Sequence, residues 1–205
     1  MSTPTRPYRG VSARERAAGR RTRLLEAGLE LLGTAGGERT TMTAVCARAK
    51  LTERYFYESF RNREDLLIAV VDHVAGELRH TVLTALEEAD GDAGTKGRAA
   101  IAAFVHRIDE DPRLGRAGLV ESAAVAVLRP RRHQLLRTFA DLVVAQAELL
   151  YGAEALPEPR DRVHALLFVG GLAELLTAWL TGELTVTAEE IVDAATHQFV
   201  TSMHV

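Results

Sequence analysis

Residues 41–63 hold the densest set of side chains in the chain that could bind another molecule. Tyr55, Phe56, Tyr57 and Phe60 fall within six positions, although the 205 residues are only 5% aromatic. Thr52, Glu53 and Arg54 stand just before them, and Thr41, Lys50 and Arg63 flank them. Their chemistry is hydrogen bonding. Hydroxyl groups bond phosphate oxygens, and a guanidinium matches the edge of guanine.

The elements that must position these groups are short. In TAVCARAKLTERYFYESFRNREDLL (43–67) two apolar-patterned segments are separated by a tight break at Lys50-Leu51. Thr41 can cap a helix over 42–49 and Thr52 one over 53–59. That is helix-turn-helix spacing. Helices of two turns do not survive alone, so they must pack on their neighbours. Val45, Ala49, Leu51, Phe56 and Phe60 are the packing side. Thr52, Glu53, Arg54, Tyr55 and Tyr57 are left outward, a set suited to the DNA major groove.

This stretch resembles the DNA-binding signature of the tetracycline-repressor (TetR) family. That signature has a Thr-capped second helix, then an aromatic-rich recognition helix ending Tyr-x-x-Phe, then Lys/Arg-Glu-x-Leu. Thr41, Ala49, Leu51, Thr52, Tyr57, Phe60, Arg63, Glu64, Leu66 and Leu67 fall on those positions. The strong match covers about residues 15–70. Beyond it only helix count and order agree. The resemblance implies that Thr41, Tyr57 and Arg63 bond backbone phosphates and that Thr52, Glu53, Arg54 and Tyr55 face the major groove. Phe56 and Phe60 would be core. Two positions depart from the pattern. Lys50 stands where Gly is common, which costs strain if φ is positive there but offers an amine to a phosphate. Ala44 stands where an acidic capping partner is frequent.

Charge divides the chain in the same place. Residues 1–65 carry 13 Lys and Arg against 8 Asp and Glu, whereas 66–205 carry 12 against 20. A basic head on an acidic body suggests a polyanion-binding unit beside a second domain with another task. Arg6 and Arg9, in an arm broken by Pro4, Pro7 and Gly10, could enter a minor groove. Helix-one arginines are further candidates for DNA contact.

Nearly everything reads as helix, because the apolar spacing is three and four throughout. The expected fold is all-α with about nine helices. Residues 1–61 form an arm and a three-helix helix-turn-helix domain, and residues 62–205 form a helical regulatory and dimerisation domain. Ser12 with Glu15 opens the first helix as a capping box, and Gly33, Gly36 and Gly37 end it. Asn62 opens a fourth helix to about Glu88, and a fifth spans roughly 96–109. Asp111-Pro112 starts a sixth, to about 121. A seventh ends near Tyr151, with Pro130 close to its start. The eighth covers about 160–181, and Thr187 with Glu190 opens a ninth.

The segment Ala165 to Leu180 contains Glu174 and falls short of the roughly 20 residues of a spanning helix, so it reads as buried. Its apolar residues occupy more than one face, and Gly170-Gly171 permits a close helix approach. A homodimer through helices eight and nine follows, in line with the resemblance. Two recognition helices in twofold symmetry imply a roughly palindromic operator. A regulatory cavity among helices four to eight would take a small-molecule effector. Phe104, His106, Glu121, Phe139, Phe168 and Trp179 are candidates to line it. No cofactor and no membrane are expected.

Cys46 is the lone cysteine, so no intrachain disulfide can form. With no apolar leader at the start, a cytoplasmic location is expected. His73, Glu77 and His80 share a helix face at i, i+4 and i+7, but they sit off the apolar stripe and read as surface. An enzyme is not expected, because P-loop, Gly-x-Gly-x-x-Gly, His-Glu-x-x-His and Gly-x-Ser-x-Gly patterns are all missing. The leading reading is a ligand-released repressor. An activator or a regulator without a small ligand is the alternative. A helical protein-binding scaffold lies outside this class and leaves Arg54 and the two phenols unexplained.

Overall fold

The computed structural model describes residues 12–204, and the expectations for Arg6 and Arg9 lie outside them. Among the described residues the chain is all-α, with nine helices and no sheet. They are α1 (Ala13–Ala35), α2 (Met42–Ala49), α3 (Glu53–Ser59), α4 (Arg63–Glu88), α5 (Ala93–Glu110), a composite α6, α7 (Arg129–Tyr151), α8 (Arg160–Thr181) and α9 (Ala188–Ser202). In α6 an α-turn, Pro112–Gly115, passes into a π-helical segment, Arg116–Glu121, and ends in a turn, Ser122–Ala124.

Side-chain caps set most boundaries. The Ser12 N–H donates to Glu15 Oε2 at 2.6 Å while the Glu15 N–H donates to Ser12 Oγ at 3.1 Å. Those bonds hold the Glu15 carboxyl below its usual range. Thr187 and Glu190 repeat the device at α9. Asp92 accepts from the Thr95 N–H at 2.8 Å, which starts α5 three residues earlier than its apolar spacing suggested. Pro130 lies in the first turn of α7, where the missing N–H has no helical partner to lose. Gly33 does not end α1. The helix runs on to Ala35 and stops at Gly36, whose φ of 84° suits glycine.

The packing of the N-terminal unit continues past residue 61. Leu24, Leu32, Val45 and Phe56 are buried together with Leu66, Leu67 and Val70 of α4. The first two turns of α4 therefore complete the helix-turn-helix core, and the rest of the same helix runs into the C-terminal body.

The expectation that the eighth helix is buried needs correction. Ala165, Phe168, Ala173 and Leu176 are buried, but Val163, Leu166 and Leu167 are exposed. A helix apolar all round needs cover on every side. Here α6, α7 and α9 cover only part of it. At 22 residues and a mean hydropathy of 1.7 over its apolar window, α8 is also long and apolar enough to cross a membrane by length and composition. Yet its Glu174 is paired with Arg132 of α7 at 2.7 Å, which ties it into the helical bundle.

Candidate DNA interface and effector cavity

The short α2 and α3 are fixed from both ends. Thr41 Oγ accepts from the Ala44 N–H at 3.2 Å and caps α2 alone. Lys50 closes α2 at φ 51°, ψ 48°, the one non-glycine residue at positive φ among the described residues. A side chain there costs on the order of 1 kcal/mol. Arg23 of α1 offsets part of it by donating to the carbonyls of Ala49 and Lys50. On α3, Phe56 is fully buried and Phe60 nearly so, with ring centroids 5.7 Å apart. The two phenyl rings pin α3 to the core, as expected.

The opposite face of α3 carries the polar set. Tyr57 is 58% exposed and the Arg54 side chain 84%. Thr52 caps α3 through its backbone only, so its hydroxyl makes no capping bond. Glu53 and Lys50 are exposed as well. Tyr55 is half-buried under the Arg20 guanidinium, 4.5 Å from the ring centroid. Arg54 leans on Glu58 at a loose 3.4 Å, and Glu58 also accepts from Arg20 at 3.0 Å. Sequence reasoning missed Glu58, although its i+4 spacing from Arg54 was readable.

Several basic residues serve the fold instead. Arg21 donates to the Ser59 carbonyl at 3.0 Å and stacks over Phe60. Arg63, expected on a phosphate, donates its Nε–H to Thr40 O at 2.7 Å and an Nη2–H to Gly37 O. Its guanidinium braces the α1–α2 loop, whose carbonyls have no helical donors. Burial pushes the Cys46 thiol up, which leaves it a protonated core residue.

The same loop carries the contact between the two regions. Glu121 Oε2 accepts from the Gly37 N–H at 2.8 Å. A Cβ on Gly37 would lie 2.3 Å from Val125 Cγ2, so only glycine allows this approach. Arg113 adds a second tie, donating to Asp111 and, at 3.0 Å, to Glu26 of α1. That guanidinium holds the Asp111 carboxyl below its usual range. Glu121 thus belongs to the junction and not to a cavity wall, the role expected of it.

Two apolar cavities meet at Phe104. The larger holds about 580 Å³ of empty space, its mouth included. It is lined by α4, α5, α7, α8 and α9 through residues such as Val82, Ile101, Leu142, Phe168 and Phe199. The smaller, about 390 Å³ on the same measure, is lined by Val74, Gly118, Arg132 and Phe139 among others. Phe104 and Phe139 meet edge to face at 6.2 Å. Phe104, Phe139 and Phe168 are thus among the cavity-lining residues. His106 and Trp179 line neither cavity. His106 pairs with Glu189 of α9 at 2.9 Å, and the Trp179 indole donates to the Val186 carbonyl at 3.0 Å. Glu189 is far along the chain from His106 and gave no local signal. Phe199 was missed because α9 had been assigned to dimer contact, although its stripe Val192, Ala195 and Phe199 marks an inward face. On α4, Glu77 accepts twice from Arg107, which takes it away from His73 and His80.

Comparison with known proteins agrees with this arrangement. Residues 24–70 match the family described as bacterial regulatory proteins, tetR family. The curated proteins contain no match. The fold is similar to the fatty acid degradation regulator FadR of Bacillus halodurans, with a TM-score of 0.74 and 17% identity over 88% of this chain and 94% of that one. FadR of Bacillus subtilis, solved in complex with stearoyl-CoA, gives 0.74 and 17% over 89% and 99%. A TetR-like transcriptional regulator from Rhodococcus sp. RHA1 gives 0.67 and 14% over 89% and 94%. Residues 24–70 thus carry the DNA-binding sequence of the tetR family of bacterial regulatory proteins, set in an all-helical fold like that of these solved regulators, which supports a DNA-binding transcriptional regulator.

Proposed function

We propose that the protein is a homodimeric repressor that leaves a palindromic operator when a small apolar molecule occupies its C-terminal cavity. The observation that carries this reading is a shared wall. Val74 of α4 and Gly118 of α6 line the cavity system, and these same two helices hold the DNA-binding unit. Gly118 lies in the π segment that ends at Glu121, the acceptor for Gly37. A ligand that displaces this wall favours a different placement of the recognition helices. Its differential affinity for the two arrangements sets the size of the response.

On DNA, Arg54 and Tyr55 read bases with Thr52 and Glu53, and Tyr57, Thr41 and Lys50 bond phosphates. Arg63 keeps its place as a brace behind them. The exposed Val163, Leu166 and Leu167, with Gly170-Gly171 open beside them, support dimerisation through α8 and α9. The stearoyl-CoA bound by the Bacillus subtilis protein supports a long apolar chain as one class of occupant for this fold.

A gel-shift titration tests the reading, using the purified protein, the DNA upstream of its own gene and varied salt. Saturable binding that survives competitor DNA and weakens in both Tyr57→Phe and Arg54→Ala is expected. Binding that neither substitution changes would refute it.

A further inference from the structure

The smaller cavity has one polar side chain among its described lining residues, Arg132. Its Nη2 donates to Glu174 Oε1 at 2.7 Å, toward the surface. Its Nε is fully buried and has no acceptor. An unmade hydrogen bond on a buried guanidinium is costly, and buried donors in folded proteins nearly always find a partner. The charge itself is already balanced by Glu174. What the site lacks is one acceptor, not an anion, because a second carboxylate in this apolar wall would go uncompensated.

Phe104 forms a wall of both cavities. A guest that fills both must therefore displace that ring. The larger chamber offers only Gln146 as a polar lining group, so it favours hydrocarbon.

We propose that the effector is an elongated, uncharged apolar molecule with one carbonyl oxygen, of the ketone or ester class. The apolar lining of the smaller cavity shifts to let the oxygen accept the Arg132 Nε–H, and the chain displaces Phe104 to enter the larger one. This rests on the reading that the C-terminal domain takes an effector. It adds the head group and the residue that reads it.

The test uses the full-length protein with 2-octanone, octane and octanoate. Headspace depletion measures the first two and equilibrium dialysis the third. Transfer from water alone favours octane over the more polar ketone. The proposal predicts that 2-octanone nonetheless binds at least as tightly as octane and about ten-fold tighter than octanoate, the scale of one hydrogen bond. Arg132→Lys keeps the pair with Glu174 but removes the Nε–H. It should weaken 2-octanone about ten-fold and leave octane unchanged. Glu174→Gln keeps the Nε–H, so it should preserve ketone binding and raise octanoate affinity. Octanoate binding best to the wild type, or ketone binding indifferent to Arg132→Lys, overturns the proposal. Failure of the broader reading looks different. There, 2-octanone binds with the predicted dependence on Arg132, but the affinity for upstream DNA does not change.

Discussion

In the α1–α4 unit three arginines reach inward to the backbone, while in the C-terminal body the chambers beside Phe104 are walled mostly by alkyl and phenyl groups. Arg21, Arg23 and Arg63 donate to carbonyls of Ser59, Ala49, Lys50, Gly37 and Thr40. Arg21 and Arg23 tie the short α3 and α2 to α1, and Arg63 ties the α1–α2 loop to α4. Little is left to move. Around Phe104 the contacts are dispersive and without direction, and space remains between them. A unit that must match a rigid duplex is held by directional bonds. The cavity region is held by contacts that can repack, which suits the guest proposed for it.

Phe56→Ala probes the rigid side hardest. It removes a fully buried ring that few contacts can replace, and should cost about 3–5 kcal/mol in urea unfolding of the N-terminal unit. A cost below about 1 kcal/mol would mean that α3 is anchored by its arginine bonds alone. Gly37→Ala strikes the junction. The new methyl meets Val125, and overpacking of this kind costs about 1–3 kcal/mol. Thermal unfolding should show the loss, with DNA affinity falling in parallel.

Tyr57→Phe separates binding from stability. The phenol is exposed, so the melting temperature should hold while DNA affinity falls about ten-fold, the effect of one phosphate hydrogen bond. Lys50→Gly should do the reverse. Relief of the positive φ stabilises the fold by about 0.5–1 kcal/mol, while the slope of log affinity against log salt drops by about one.

The smallest effect concerns pH. The folded pKa of Asp111 lies below its unfolded value of about 3.9, because Arg113 favours the carboxylate. Its stabilisation is therefore complete above about pH 4 and is lost as pH falls through the lower, folded value. Asp111→Asn should flatten the acid side of the stability profile, read as melting temperature from about pH 5 to about pH 3. An unchanged profile would place the acid sensitivity elsewhere, for example in the paired Asp65.

The split within Tyr55, Phe56, Tyr57 and Phe60 was legible because a two-turn helix has only one face to bury. The caps at Ser12, Thr41, Asn62, Asp111 and Thr187 were legible because each acts within three residues. Glu121, His106 and Trp179 were not. Glu121 and His106 find Gly37 and Glu189 across the fold, where no periodicity announces a bond, and Trp179 reaches past the turn at Gly182 to Val186. The π segment was not legible either, and Ser122, just after it, donates to the Gly118 carbonyl at 2.6 Å. On α8 the apolar composition was legible and the burial was not, because the helices packed on it leave Val163, Leu166 and Leu167 exposed.

The central claim is that a twofold pair of α3 helices reads DNA. Selection of bound duplexes from a random pool by the wild-type protein tests it most directly. The account predicts an enriched inverted repeat with half-site centres about one helical turn or more apart, and loss of its most constrained base in Arg54→Ala. Recovery of no common site, or of a site without twofold symmetry, would contradict it.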